Sequence, residues 1–371
     1  MQSLPSSMRA VVLVGHGGLD MLHYREDWPR PAARAGEVLI QVRACGLNNT
    51  DINTRIGWYS KAVTSGTAQR ATHGPEGASV SGGAWGDRTQ QFPRIQGADV
   101  AGVIVAVGAG VEPARIGERV MVDPWLLGRG EWMDARRSEY FGSECDGGFA
   151  DFTTVRSENA IAVDSALSDA QLATFPCAYT TAENLISRTG LRPGETVVLA
   201  GASGGVGTAA IQLCRLRGAR VIAIAAASKA RALMELGAHS VIDRGTQNLE
   251  GAIREAAGGA VDVALDVVGG HTFMHLINAL RQGGRYSASG AISGPIAQFD
   301  LRQMIYKDLQ LTGATIVPSG TMQRIVRLIE QHSLLPVLAQ TFPLRELATA
   351  QEVFMAKKHV GNIVVTMAAG N

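Results

Sequence analysis

The segment Ala200-Gly201-Ala202-Ser203-Gly204-Gly205-Val206-Gly207 lies between an apolar β-like run at 196–200 and an amphipathic stretch at 206–217. This feature constrains the fold most, because a strand, a tight glycine turn and a helix in that order open a βαβ unit. Gly204 and Gly205 lack a Cβ, so the backbone there is expected to approach a diphosphate closely. Gly207 is expected to let the helix pack tightly against its strand. Helix-start amides then face the anion, which makes Ser203, Gly204, Gly205, Val206 and Gly207 the expected diphosphate contacts.

The pattern continues from this turn. β-like runs at 220–225, 240–243, 261–266, 285–288 and 309–312 alternate with helical patterns at 229–236, 249–257 and 273–280. The alternation predicts an α/β fold with a doubly wound parallel sheet. Gly218 and Gly237 follow two of the helices where a left-handed terminal residue is expected. Before this region, short β runs at 10–14, 38–43, 101–107, 119–123 and 149–155 are separated by Gly and Pro, predicting a mostly β, barrel-like domain. A last helix at 322–331 and a β run at 362–366 are assigned back to that first domain, which is therefore discontinuous.

Composition excludes several functions. Charged residues make up 18% against 46% hydrophobic, with a net charge of +1, so no basic footprint for nucleic acid is present. No apolar run approaches the ~20 residues of a bilayer span, and residues 1–7 lack the apolar core of an export signal. Four cysteines without a Cys-x-x-Cys pair suggest a reduced, cytoplasmic chain.

NAD enzymes usually place a carboxylate at the end of the second strand, roughly 20 residues past the fingerprint, to hold the ribose 2′-hydroxyl. Here that region reads Ala225-Ala226-Ala227-Ser228-Lys229-Ala230-Arg231. Ser228 and Lys229, with Arg244 just after the third strand, can instead accommodate a 2′-phosphate, so NADP(H) is favoured as cofactor. The alternative for Lys229 is a solvated residue on the next helix.

The chain resembles the medium-chain dehydrogenase/reductase superfamily, and within it the zinc-independent branch of quinone oxidoreductases and 2-enoyl thioester reductases. The resemblance rests on the glycine turn, Gly46-Leu47-Asn48-Asn49-Thr50-Asp51, Gly97-Ala98-Asp99-Val100-Ala101-Gly102-Val103, Gly117-Glu118-Arg119-Val120, Gly147-Gly148-Phe149-Ala150 and His359-Val360-Gly361-Asn362-Ile363-Val364. It implies a GroES-like catalytic domain (1–165 and 310–371) joined to a Rossmann NADP(H)-binding domain (166–309), with the cofactor in the cleft between them. It also implies a homodimer, through edge pairing of the strand near 309–317. Zinc-dependent relatives use a Cys, a His and a further Cys or Asp. Here those positions read Asn48, Ala98 and Cys177, and one thiolate cannot hold catalytic zinc, so no metal is expected. Cys145 stands alone where those relatives carry a four-cysteine structural lobe.

Without a Lewis acid, oxidation of an unactivated alcohol is difficult, whereas a conjugated double bond delocalises the charge that hydride delivery creates. The resemblance therefore implies reduction of an enone, enoyl thioester or quinone. Tyr59 falls where 2-enoyl reductases carry a proton-donating tyrosine; the alternative is that it only shapes the pocket. Asn48 is expected to face the nicotinamide or the substrate carbonyl. Thr181 resembles a residue contacting the nicotinamide ribose or carboxamide, and Ser289, Gly290 and Ala291 resemble the backbone flanking that ring. Asp51 and Asp99 are expected to cap backbone amides. Compared with quinone reductases the chain is longer over 60–95, a stretch containing His73, Glu76 and Trp85 that reads as a surface loop or as a lid lined by Trp85 or Trp58. Other functions that remain open are zinc-free alcohol or aldehyde redox chemistry and non-catalytic NADPH binding.

Overall fold

The computed structural model describes residues 4–67, 90–126 and 139–367. His73, Glu76 and Trp85 lie outside the described residues. An all-parallel six-stranded sheet runs in the order Ser240–Asp243, Arg220–Ala225, Thr196–Ala200, Val261–Asp266, Leu280–Ala288, Gln310–Gly313. This is the Rossmann order, with the crevice at the C-terminal ends of Thr196–Ala200 and Val261–Asp266, where the winding reverses. Helices Gly205–Leu216, Ala230–Glu235, Leu249–Ala257 and Thr272–Ala279 supply the crossovers. Gly218 and Gly237 take φ of 73° and 110°, the left-handed conformation expected where the chain leaves a helix.

The strand Gln310–Gly313 pairs with Leu280–Ala288, so the parallel sheet extends past the boundary expected at residue 309. The helix Thr321–Glu330 also buries Met322, Ile325, Val326 and Ile329 in the core that covers one face of that sheet, although the sequence reading gave it to the first domain. The reason is physical: its apolar stripe finds its partner on the helix Pro176–Thr189, which the β-rich half does not supply.

The β-rich half is a seven-stranded sheet. Glu37–Gly46 lies at its centre, paired with Asp99–Val107, Phe152–Arg156 and the terminal strand Asn362–Thr366. The last strand of the chain thus lies in the same sheet as Glu37–Gly46. Leu338–Pro343 pairs in parallel with that last strand, and a hairpin of Ser7–Leu13 and Leu22–Pro29 forms a smaller sheet with Arg94–Ile95. The core on one face of the Rossmann sheet runs without a break into Ala44, Ala101, Met121 and Val364 of the β-rich half. Helix Pro176–Thr189 is the joint, with Phe175, Ala178 and Tyr179 buried at its start.

Candidate functional site

The glycine turn sits at the mouth of the crevice and is gripped from the far end of the chain. The Gly361 amide donates to the Ser203 carbonyl (2.9 Å), and Gly204 bridges Gly361. Gly204 is the N-cap of helix Gly205–Leu216, is exposed, and has only the Gly201 oxygen within reach of a Cβ, at 4.0 Å. Backbone access for an anion is therefore concentrated at Gly204, with the amides of the first helical turn behind it. Gly205 has a different task from the expected one. A Cβ there would collide with the Asn362 side chain and press on Ala178 at 3.3 Å, so its missing side chain lets three chain segments meet. Gly207 faces the backbone of Gly201 and Ala202, where a Cβ would lie 2.5 Å from Ala202, in keeping with its expected packing role. Val206 is half-buried beside the core.

Beyond the second strand, Lys229 is buried and not solvated. Its Nζ donates to Ser203 Oγ (3.2 Å), the Lys357 carbonyl (2.8 Å) and the His359 carbonyl (2.7 Å). Lys357 lies beside it, with Nζ over the Phe354 ring at 3.6 Å and bonded to Asn49 Oδ1 at 3.0 Å. Burial first, then the charge of Lys229, holds the Lys357 ammonium down to about 7. Burial and the two lysines hold His359 down to about 4, and its buried Nδ1 has no hydrogen-bond partner. Lys229 is itself lowered, by burial and then by Arg244, whose side chain is exposed nearby; Ser228 is exposed on the same turn. Among the described residues no ion pair neutralises Lys229 or Lys357. The corner is a positively charged cradle closed by neutral acceptors, which suits a phosphate monoester.

The helix Asn49–Arg55, whose first residue accepts from Lys357, brings Asn48 and Tyr59 close to helix Pro176–Thr189. Asn48 Nδ2 donates to Asp99 Oδ2 (2.9 Å), and Asp99 Oδ1 accepts the Cys177 amide (2.6 Å). Asp51 accepts the amides of Asn48 and Gly97 (2.8 and 3.2 Å). Both carboxyls are pushed up to about 7 by burial, and both hold backbone amides, as expected of caps. The Asn48 amide is thus engaged with Asp99. Thr181 and Tyr140 both hydrogen-bond the Cys177 thiol, whose pKa is pushed well up by burial and by Asp99. Ala98, Trp125, Tyr140, Cys177 and Val317 pack together as a small apolar wall spanning both domains, and no sequence motif marks Trp125, Tyr140 or Val317 as part of it.

Tyr59 is pushed up to about 12, chiefly by burial, with the nearby side chains of Thr50 and Asn53 pulling the other way. Trp58 packs edge-on against it, with ring centroids 5.6 Å apart, and donates Nε1 to the Ser65 carbonyl (3.0 Å). Ser289, Gly290 and Ala291 follow the fifth strand. The Ser289 amide donates to the Asp266 carbonyl, and its buried hydroxyl has no hydrogen-bond partner. The unpartnered atoms of Ser289 and His359, the bare Gly204 and the cationic corner fit the two ends and middle of a nicotinamide dinucleotide. A zinc ion does not fit: at the three positions Ala98 offers no donor and Asn48 is committed to Asp99, which leaves Cys177 as a single ligand.

Two family models match the chain: an alcohol dehydrogenase GroES-like domain over residues 34–165 and a zinc-binding dehydrogenase over 205–331. Among solved structures, a putative alcohol dehydrogenase from Sinorhizobium meliloti 1021 superposes with a TM-score of 0.91 at 45% identity, covering 99% of this chain and 98% of that one. Among curated relatives, the human synaptic vesicle membrane protein VAT-1 homolog is 28% identical, over 96% of this chain and 86% of its own length. The acryloyl-coenzyme A reductase of Metallosphaera sedula is 27% identical, over 97% of this chain and 100% of its own.

Proposed function

The chain belongs to the medium-chain dehydrogenase/reductase superfamily of oxidoreductases, and from that premise we propose that it is a zinc-independent, NADPH-dependent reductase of an activated C=C bond or quinone. The observation that carries this reading is the cationic corner: Lys229, Lys357 and Arg244 gather around Ser203, and the second strand ends without a carboxylate. The likeness to an acryloyl-coenzyme A reductase supports the conjugated-alkene class. The family description that mentions zinc is at odds with the donors at Asn48, Ala98 and Cys177, so no step is routed through a metal.

When bound, NADPH supplies a hydride to the electrophilic carbon of the acceptor. The residues do the rest. The turn at Gly204 and the lysine corner anchor the coenzyme's diphosphate and 2′-phosphate, and Thr181 with Ser289, Gly290 and Ala291 frames the nicotinamide end. Trp125, Tyr140 and Val317 offer a dry wall for a flat conjugated acceptor, with Asn48 held beside it through Asp99 and Cys177. Tyr59, neutral at physiological pH as any phenol is and kept so by burial, gives its proton to the enolate carbon or the quinone oxygen and regains one from solvent. Each turnover consumes one NADPH and one proton.

No helix among the described residues is long and apolar enough to cross a membrane, and the four cysteines are free thiols, which supports a reduced cytoplasmic setting. We extend the proposal to a homodimer joined at the edge strand Gln310–Gly313. The function is tested by mixing the protein with NADPH and a panel of enones, quinones and enoyl thioesters and following loss of nicotinamide absorbance. Tyr59→Phe should lower kcat by about 10²-fold or more with little change in the KM for NADPH. NADPH binding without turnover on any acceptor would leave a coenzyme-binding protein and defeat the reductase assignment.

A further inference from the structure

The cationic corner is built from both halves of the molecule, and its two lysines are not equivalent. The Lys229 ammonium carries three N–H groups and meets three acceptors: Ser203 Oγ at 3.2 Å, the Lys357 carbonyl at 2.8 Å and the His359 carbonyl at 2.7 Å. It is saturated, so a phosphate there meets its charge but gains an N–H only by displacing one of these bonds. Lys357 is the opposite case. Among the described residues the one oxygen that its Nζ bonds is Asn49 Oδ1 (3.0 Å), and the Phe354 ring, 3.6 Å away, covers one side. At least one N–H is left for an anion, and the residue is half-buried, with part of its surface open to solvent.

Lys357 and Asn49 both belong to the β-rich half, and the fold fixes their separation. Lys357 follows the helix Leu347–Met355, whose Leu347, Ala350 and Phe354 are buried in the core of that half. Asn49 opens the helix Asn49–Arg55. At the other end of that helix the fully buried Arg55 donates Nε to Gln351 Oε1 (2.9 Å), on the same C-terminal helix, and Nη1 to the Gly17 carbonyl (2.9 Å). The short helix is therefore tied to the C-terminal segment at both ends, and that segment grips the glycine turn through the Gly361 amide and the Ser203 carbonyl. We propose that Lys357 is the residue that selects a coenzyme bearing a 2′-phosphate, that the β-rich half supplies it to a site on the parallel-sheet half, and that Asn49 is the positioning residue that aims it. The neutrality of Asn49 is essential to this arrangement. An amide oxygen orients the ammonium without cancelling its charge, whereas a carboxylate in its place pairs with Lys357 and takes the charge that the phosphate needs. The inference rests on the reading that the coenzyme is NADPH.

Asn49→Asp supplies that carboxylate at nearly constant volume, and an aspartate in the first turn of a helix is favourable, so the variant should fold. Calorimetric titration at neutral pH, with no acceptor present, reads the affinity for each coenzyme. Asn49→Asp should weaken NADPH at least about tenfold and NADH less than about twofold. Asn49→Ser keeps a neutral oxygen and should stay within about threefold of wild type for both coenzymes. In a Lys357→Met background, Asn49→Asp should cost NADPH less than a further factor of about two, because the two residues act as one unit. A wild type that prefers NADPH while Asn49→Asp keeps the full preference overturns the inference and leaves the NADPH reading standing. A loss in Asn49→Ser as large as in Asn49→Asp shows that charge is not the cause and overturns it too. A full further loss in the Lys357→Met background means that the aspartate repels the phosphate directly, which removes Lys357 from the selection. A wild type that binds NADH as tightly as NADPH defeats the NADPH reading and this inference with it.

Discussion

Lys357 shows how far burial beside a second cation can push a single residue. Its ammonium is buried against Phe354 and beside Lys229, and its pKa falls to about 7. A coenzyme 2′-phosphate, dianionic above pH ~6, would supply the missing counter-charge and pull that pKa back up. NADPH binding at pH 8 should therefore take up a proton, and its affinity should fall as pH rises from 7 to 9. NADH, lacking the phosphate, should show neither effect. Calorimetry in two buffers of different ionisation enthalpy measures the uptake, and Lys357→Met should abolish it. The sign for stability follows from the same shift. A lysine whose folded pKa lies below its unfolded value destabilises the fold most below pH 7, and the penalty is relieved as pH rises toward 10.5. Lys357→Met should accordingly raise the melting temperature of the coenzyme-free protein at pH 6 and change it little near pH 10. Lys229→Ala should raise the KM for NADPH at least about tenfold more than that for NADH, and equal effects would remove Lys229 from the phosphate site. Lys229 was legible in the sequence because it follows the second strand at the offset where a cofactor's ribose is recognised. Lys357 was not, because the carbonyl that joins it to Lys229 lies 128 residues away along the chain.

At the scale of elements, the parallel sheet was readable because each strand, turn and helix carries a local signature that agrees with its neighbours. The helix Pro176–Thr189 escaped that reading, although Cys177 and Thr181 on it were singled out, because it is buried on nearly every side and several of its polar residues, Thr180, Glu183, Asn184 and Thr189, are buried too, so its polar pattern does not follow its burial. The strand Leu338–Pro343 escaped for the opposite reason: four of its six residues are exposed, so alternation is weak. The role of Gly205 also came from packing, since Asn362 and Ala178 approach it from other elements and the diphosphate does not explain its lack of a side chain. Asp99 provides the test at this scale. It begins the strand Asp99–Val107, holds the first-turn amide of helix Pro176–Thr189 at Cys177, and steadies Asn48 at the cap of helix Asn49–Arg55. Asp99→Asn keeps the shape but turns an NH₂ group toward one of two donors. The variant should lose about 1–3 kcal/mol of stability in urea unfolding at pH 8. Because burial favours the protonated carboxyl, the wild type should lose part of its advantage as pH rises from about 4 to about 7, and no more above that. Equal stability of the two proteins would mean that Asp99 does not join the three elements.

For the whole molecule, the open edge of the parallel sheet sets the remaining problem. Among the described residues Gln310–Gly313 has a partner on one side only, and its own residues carry neither a charge nor a proline to discourage further pairing. The segment leading into it exposes Ile296, Leu301, Ile305 and Tyr306, the last at 75% of its full accessible area. An uncharged edge flanked by bare apolar side chains is a liability for a lone chain, and a second copy meeting it about a two-fold axis would satisfy both edges at once. Light scattering should then give twice the 39.1 kDa chain mass. Replacing Ile305 and Tyr306 together by Lys adds like charges on both sides of a two-fold contact. That variant should shift the protein toward the monomer at ~10 µM and leave NADPH affinity intact, since the lysine corner lies across the sheet at the strand Arg220–Ala225. A wild-type monomer at that concentration would rule out this edge as the contact. A dimer indifferent to both lysines would move the interface elsewhere on the surface.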